Sequence, residues 1–598
     1  SLIIGAISCI IWTLTIQTTV KYIWITLRAD NKGEGGILAL FALLRKKRRF
    51  VYIIAMIGAS TLLADGVITP SITVVSAVEG LSMINPNVLV IPIVLIILTF
   101  LFLLQQFGTE FIGKSFGPIM VLWFLTLAVL GFSWLIHFPK ILLAFNPYYA
   151  VKLLIEHPGG ILILGAVFLC TTGAEAMYSD LGHCGVKNIR ITWIFVKVSL
   201  ILNYLGQGAW VILNSDKADL ANPFFGIMPQ WFLLPGVLLA TAAAIIASQA
   251  LISGSYTIVS EAITLNLWPK VRIKYPSRLK GQMYVPSVNW LLYFACIFVV
   301  IFFQSSSNME AAYGLSITLT MIMTSALMIG YFQIKRISFP IVLLFGLTYA
   351  LIEGTFLYAN LHKFSNGGWF TIMLAGLIFF TMFIWNRGRL TKKQFTQFYP
   401  ISDFTDLFKD IQKDNTLPRY ASNLVYITRA EQSSDVERKI IYSIFNKQPK
   451  RADRYWFLHI NITDEPFTKE YKVRQIIPDV LYRIDFNIGF KVNPRINRFF
   501  NHVISDLVKN GEIDITSKYY SLSKHNVPSD FRFIIIDRVL TVDTELSTTE
   551  RFVMNAYDVV KRFSMNSVNA YGLDTSNVII EQVPLGIVPL SENGFKRL

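Results

Sequence analysis

Asp65, Thr69 and Thr73 recur at i, i+4 and i+8 inside the apolar run from Phe50 to Leu81. On a helix that spacing stacks the three side chains on one face. The run is long enough to cross a bilayer. A carboxylate at membrane depth is costly and needs a partner. Two hydroxyls on the same face make a dehydrated cation the partner that fits the residue types. The plainer alternative is an Asp satisfied by a neighbouring helix, with each Thr bonding its own i−4 carbonyl. The cation reading is preferred because charge inside a membrane defaults to function.

A second constellation lies in Cys170-Thr171-Thr172-Gly173-Ala174-Glu175. Thr172 and Glu175 stand i, i+3 apart and can share a face. Thr171, Thr172 and Gly173 are poor helix formers, so a break is expected there, near mid-membrane. A broken helix frees carbonyls that can ligate a cation. Glu175 is the expected proton site, because burial and an adjacent cation act on a carboxyl in opposite directions. A structural Glu bonded across the bundle is the alternative. Tyr313, beside Gly314, reads either as a ring gating a pathway or as core packing. Asn203, Tyr204 and Gln207 read as glue between helices. Ser248 and Gln249 read as packing, Glu79 and Glu353 as acids near outer, watered helix ends, and His183 as a lone surface histidine.

The elements that must position these groups follow from composition. Of 598 residues, 53% are hydrophobic and only 15% charged, and the mean hydropathy is +0.50. A soluble domain is nearer a quarter charged, so this is a multi-span helical membrane protein with a soluble appendage. Eleven apolar segments are expected: Leu2–Leu27, Phe50–Leu81, Val88–Phe107, Phe116–Ile136, Gly160–Leu181, Ile189–Leu213, Trp231–Leu265, Tyr284–Phe303, Met309–Tyr331, Pro340–Asn360 and Gly368–Trp385. Alternate loops carry 21 Lys and Arg, against four in the opposite loops. The positive-inside rule then places the basic loops and the C-terminal region in the cytoplasm. The basic side includes Lys32, the run Arg45–Arg49, Arg278 and Lys280; the other side includes Lys217. The net charge of +16 therefore serves topology and not nucleic-acid binding. Ser1 would lie outside, and one further span upstream, twelve in all, would return the N-terminus to the cytoplasm. Pro139–Glu156 is too short and broken to cross and reads as an interfacial helix. Four cysteines lie in or beside apolar spans without metal or disulfide spacing.

After Arg387 the composition becomes that of a soluble domain. Strands are expected at Asn423–Thr428, Tyr455–Ile462, Asp485–Phe490, Phe531–Asp537 and Val578–Glu581, and helices at Val473–Tyr482, Ile496–Lys509 and Glu550–Arg562. The expected division is residues 1–387 for the membrane domain and 388–598 for an α/β cytoplasmic domain. The latter shows no phosphate loop, metal cluster or catalytic triad, so a regulatory or dimer-forming appendage is expected, not an enzyme.

These motifs resemble the Kup family of bacterial potassium-uptake permeases. The carrying residues are Arg28-Ala29-Asp30-Asn31-Lys32-Gly33-Glu34-Gly35-Gly36, Val67-Ile68-Thr69-Pro70-Ser71, Gly117-Pro118-Ile119-Met120, Asn146-Pro147, Thr172-Gly173-Ala174-Glu175-Ala176-Met177-Tyr178-Ser179-Asp180-Leu181-Gly182-His183, Asn203-Tyr204-Leu205-Gly206-Gln207 and Ala247-Ser248-Gln249-Ala250. The resemblance implies inverted five-helix repeats of the LeuT-like, amino-acid–polyamine–organocation type. It also implies potassium uptake coupled to proton entry by alternating access, in a plasma-membrane homodimer joined through the cytoplasmic domains. The family's core positions fall on Asp65, Thr69, Thr172 and Glu175. The expected potassium ligands are thus Asp65, Thr69, Thr73, Thr172, Glu175 and Tyr313, with Glu175 and Asp65 coupling to protons and no cofactor. A nucleotide second messenger is one class of regulator expected for the tail, though no residue marks its site. The family usually begins with a further broken helix bearing Gly-Asp-Ile-Gly-Thr-Ser-Pro-Leu-Tyr, which is absent from this sequence. The rival readings are an amino-acid permease of the same fold and a potassium uniporter or sensor without proton coupling.

Overall fold

Apolar segments of spanning length must satisfy their backbone internally, and here they do so as helices. The computed structural model describes residues 2–31, 33–44, 50–107, 110–214, 222–276, 283–463, 468–489, 492, 495–539, 547–566, 568, 571–573 and 577–584. Lys32, Arg45–Arg49, Lys217, Arg278 and Lys280, which weigh in the orientation argument, lie outside the described residues. The chain divides into two units, Ser1–Phe383 and Ile384–Leu598.

The first unit is helical. Its helices are α1 (Leu2–Thr13), α2 (Ile37–Leu44), α3 (Val51–Glu79), α4 (Val90–Leu104), α5 (Glu110–Leu135), α6 (Pro147–Glu156), α7 (Gly160–Leu169) and α8 (Ala174–Ser179). They continue with α9 (Leu181–Cys184), α10 (Val186–Leu213), α11 (Pro223–Gly226), α12 (Gln230–Thr264), α13 (Pro286–Phe303), α14 (Ser306–Ile334), α15 (Phe339–Leu361) and α16 (Gly368–Gln394), whose residues from Ile384 on fall in the second unit. Among the described residues, ten helices are long and apolar enough to span a membrane. The segment expected at Gly160–Leu181 is not one of them. It is divided into α7 and α8, because Gly173 takes a left-handed conformation at φ 99°. That backbone is open to glycine and strained for other residues. The break falls at the Thr-Thr-Gly run whose low helix propensity marked it.

α3 sits at the centre of this unit. Its middle stretch from Gly58 to Ser71 is buried throughout. Small residues let its neighbours approach: a Cβ added at Gly66 would lie 2.4 Å from Ser255 Oγ on α12. Pro70 lies inside α3 and donates no backbone hydrogen bond. Next to it, Ser71 Oγ donates to Val67 O at 2.9 Å. Large apolar side chains such as Leu122, Val129, Ile194, Phe294 and Leu344 stay exposed around the outside, as a lipid-facing surface requires. α1 continues into a wide π-helical stretch, Leu14–Ile25, and a short turn, Thr26–Arg28.

The second unit is an α/β domain. A short pair, β1 (Phe398–Pro400) with β3 (Asp435–Glu437), stands apart from a six-stranded sheet. The sheet holds β2 (Arg419–Thr428), β4 (Arg451–Thr463), β5 (Lys469–Ile477), β6 (Leu481–Gly489), β7 (Phe531–Val539) and β8 (Val578–Pro584), in the order β5-β6-β4-β2-β7-β8. All neighbours are parallel except the edge strand β5. Alternate residues feed opposite cores. Val425, Trp456, Leu458 and Ile484 pack with Phe500, Val503 and Ile504; Leu424, Tyr426, Tyr455 and Phe457 pack with Phe408, Ile440 and Ile444. Burial on both faces is what a parallel sheet demands. The five expected strands form over their described residues, Phe490 lying outside them, as do helices over Ile496–Lys509 and Thr548–Arg562. The helix expected over Val473–Tyr482 does not. Those residues fall in the β5–β6 hairpin, paired from Lys469↔Ile488 to Ile477↔Leu481. β5 is mostly exposed, and its place at the sheet edge comes from that pairing, which a reading of local hydrophobic period cannot show.

Candidate functional site

Asp65 lies midway along α3 and is only 5% exposed. Its Oδ1 accepts the Thr69 hydroxyl at 2.7 Å, so the i, i+4 spacing places acid and hydroxyl together. Glu175, in the first turn of α8, is likewise 5% exposed, and its Oε1 has no hydrogen-bond partner. Among the described residues neither carboxyl forms an ion pair with a lysine, arginine or histidine. Thr172, on the break between α7 and α8, shares a hydrogen bond of 2.7 Å with the Tyr313 hydroxyl of α14. Tyr313 lies within electrostatic reach of both Asp65 and Glu175, and those two carboxyls act on each other. Asp65 with Thr69 on α3, and Thr172 at the break with Tyr313 of α14, are thus each in contact, and Glu175 stands in the first turn beyond the break.

Thr73 lies one turn further along α3; its hydroxyl donates to Thr69 O at 2.7 Å, back into its own helix, and lies 3.3 Å from Ser248 Oγ, much as Thr172 donates back to Leu169 O at 3.1 Å. The carbonyls freed at the break are also partly taken: Cys170 O accepts Tyr204 Oη at 3.0 Å, and Thr171 O accepts Thr18 Oγ1 at 3.1 Å. Oxygen for a cation is thus offered by the carboxyls of Asp65 and Glu175 and the hydroxyls of Thr69, Thr172 and Tyr313. That all-oxygen set with two acids suits a hard cation. Asn203 Nδ2 donates to Leu127 O on α5, the bridging role expected for it.

Glu353 corrects an expectation. Read as an acid in water at a helix end, it is 2% exposed and ion-paired with Lys21, itself fully buried. Ser325 donates to both Glu353 oxygens at 3.0 and 2.9 Å, and Gln17 Nε2 donates to Oε1 at 2.8 Å. Sequence reasoning passed over Lys21. The available signal was a lone lysine in an otherwise apolar run, which needs a buried counter-charge. Glu79, on the other hand, caps α14 by accepting Ser306 N–H at 2.9 Å.

A model of the integral membrane domain of K+ potassium transporters matches residues 1–390, and a model of the K+ potassium transporter C-terminal domain matches residues 421–587. A probable potassium transport system protein Kup of Cytophaga hutchinsonii is 53% identical over 604 residues, covering 100% of this chain and 92% of the relative. The corresponding protein of Flavobacterium psychrophilum is 51% identical over 590 residues, 98% of this chain and 90% of its own. That of Clostridium perfringens strain SM101 is 46% identical over 598 residues, 98% and 91%. The chain belongs to the Kup family of potassium transporters. Kup membership makes potassium the transported ion and places the helical unit in a membrane as a multi-pass protein.

Proposed function

We propose that this Kup protein imports potassium by proton symport, with Asp65, Thr69, Thr172, Glu175 and Tyr313 forming the ion site. The observation that carries the reading is the pair of buried carboxyls, Asp65 bonded to the Thr69 hydroxyl and Glu175 just beyond the helix break with an unpartnered Oε1, neither in an ion pair among the described residues. A buried acid needs a counter-charge or a proton, and a site with two acids can exchange one for the other. Asp65 supplies charge to the dehydrated ion, while the hydroxyls replace part of its water. Glu175 takes a proton from outside and gives it up inside. Thr73 gives its hydroxyl proton to Thr69 O, which leaves its oxygen lone pairs to extend the row. The broken α7–α8 segment, counted as one crossing, fits a LeuT-like arrangement in which repeats rock about a midplane site. The orientation follows the basic loops, with the α/β tail in the cytoplasm of a plasma-membrane protein. The tail regulates and pairs two copies, and the chain carries out no bond-making chemistry.

The test is potassium uptake and internal pH recorded together in proteoliposomes. Symport predicts acidification that depends on external potassium. Potassium uptake without acidification would remove the proton from the scheme, and an absence of potassium flux would remove the scheme itself.

A further inference from the structure

Lys21 and Glu353 lie outside the ion site described above, yet they are joined to it. Lys21 sits on the π-helical stretch Leu14–Ile25. π-Helical turns are rare and gather at functional sites. The widened turn shows in the backbone bond from Thr26 N–H to Lys21 O, five residues back; the Thr19 and Thr26 hydroxyls follow the same spacing to Leu14 O at 3.1 Å and Lys21 O at 2.8 Å. It aligns two neighbouring stripes, one of Gln17 and Lys21 and one of Thr18 and Tyr22. The first stripe grips α14 and α15. Lys21 Nζ pairs with Glu353 and donates to Met321 O at 3.2 Å, and it lies 4.7 Å from the Tyr22 ring centroid. Gln17 reaches Met321 Sδ as well as Glu353, and Tyr349 Oη of α15 donates to Ile16 O at 3.2 Å. The second stripe grips the break: Thr18 Oγ1 donates to Thr171 O, one residue from Thr172 and four from Glu175. The Lys21 charge also acts on Glu175.

A fully buried ion pair is a poor source of stability, because desolvation offsets the attraction, and neutral replacements of similar volume commonly leave the fold intact. Its best-attested use is to fix a register. We propose that the Lys21–Glu353 pair and the π-helical stretch that carries it position the broken helix for potassium binding, making Lys21, Glu353 and Thr18 positioning residues for the ion site. This rests on the reading of that site given above. Charge pairing sets where the stretch docks on α14–α15, and Thr18 carries that register to the carbonyl at the break. The ligands on either side of the break, Thr172 and Glu175, are held by it.

The experiment compares potassium uptake and thermal unfolding of the full chain in three variants. Lys21→Met with Glu353→Gln removes both charges and keeps an acceptor for Ser325 and Gln17. Thr18→Val cuts the link to Thr171 and leaves the pair untouched. Lys21→Arg keeps the charge. The double variant and Thr18→Val are expected to unfold where the unaltered chain does. Their potassium KM should rise by on the order of tenfold to a hundredfold, the loss that follows a misplacement of about an ångström, with the maximal rate near that of the unaltered chain. Lys21→Arg is expected to retain most of the affinity. An unchanged KM in the folded double variant shows that the pair is structural only and overturns the proposal. Should the double variant not fold, an unchanged KM in Thr18→Val overturns it equally. A chain that moves no potassium before any substitution refutes the ion-site reading instead.

Discussion

Replacing Asp65 by Asn removes one negative charge and little else. The amide oxygen still accepts the Thr69 hydroxyl that Oδ1 accepts at 2.7 Å, and the side-chain volume is nearly the same. Because Asp65 is buried without an ion pair among the described residues, the lost energy is the attraction of one carboxylate for the transported cation. At about 4 Å and an effective dielectric of about 20 that attraction is about 4 kcal/mol. Each 1.4 kcal/mol or so is tenfold in affinity, so the full effect approaches roughly a thousandfold. The amide dipole returns part of it, leaving a rise in potassium KM on the order of a hundredfold or more. The assay is uptake by purified protein in liposomes across a range of external potassium, with thermal unfolding to confirm an intact fold. A KM for Asp65→Asn within threefold or so of the unaltered chain, far below the tenfold per 1.4 kcal/mol at issue, would refute the reasoning.

Glu175→Gln is expected to abolish potassium-dependent acidification inside the liposome, measured with a trapped pH dye. Tyr313→Phe removes the hydroxyl that bonds Thr172 at 2.7 Å; a loss of about 1 kcal/mol raises KM about fivefold, read by the same uptake assay. Gly173→Ala meets no atom within 4 Å but must hold φ at +99°, so unfolding in denaturant should show a cost of about 1–2 kcal/mol, with transport impaired further as the break shifts. In the tail, the Ser547 hydroxyl and N–H hold the Glu550 carboxyl below the usual carboxylate range and cap the helix Thr548–Arg562. A depressed carboxyl contributes stability above its ordinary pKa and loses it as pH falls through the folded-state value. Hydrogen exchange in the first turn of this helix should therefore quicken on acidification, and Ser547→Ala, which keeps only the backbone N–H on the carboxylate, should weaken that dependence.

What the sequence showed was what is local. Asp65 and Thr69 meet because a helix brings i and i+4 together, and Gly173 breaks its helix because nothing else in the run takes that backbone so readily. The strands of the tail announced themselves by β-branched and aromatic runs. What escaped depends on distant pairing. Lys21 and Glu353 are 332 positions apart, and each alone looked unremarkable: a single basic residue in an apolar run, and an acid near a span's end. Thr73 fits the same helical spacing as Thr69 but turns its hydroxyl into its own backbone, a rotamer choice that spacing does not specify. β5 takes the place of the helix expected from Val473 because an exposed edge strand carries no buried face to set its period.

The most direct test of the ion site is a structure of the protein in a rubidium or thallium salt, where the ion identifies itself by anomalous scattering or strong density. The account predicts an ion against the Asp65 carboxyl, within reach of the Thr69, Thr172 and Tyr313 oxygens. Density for the ion elsewhere in the helical unit, with these groups closed on one another and dry, would contradict it.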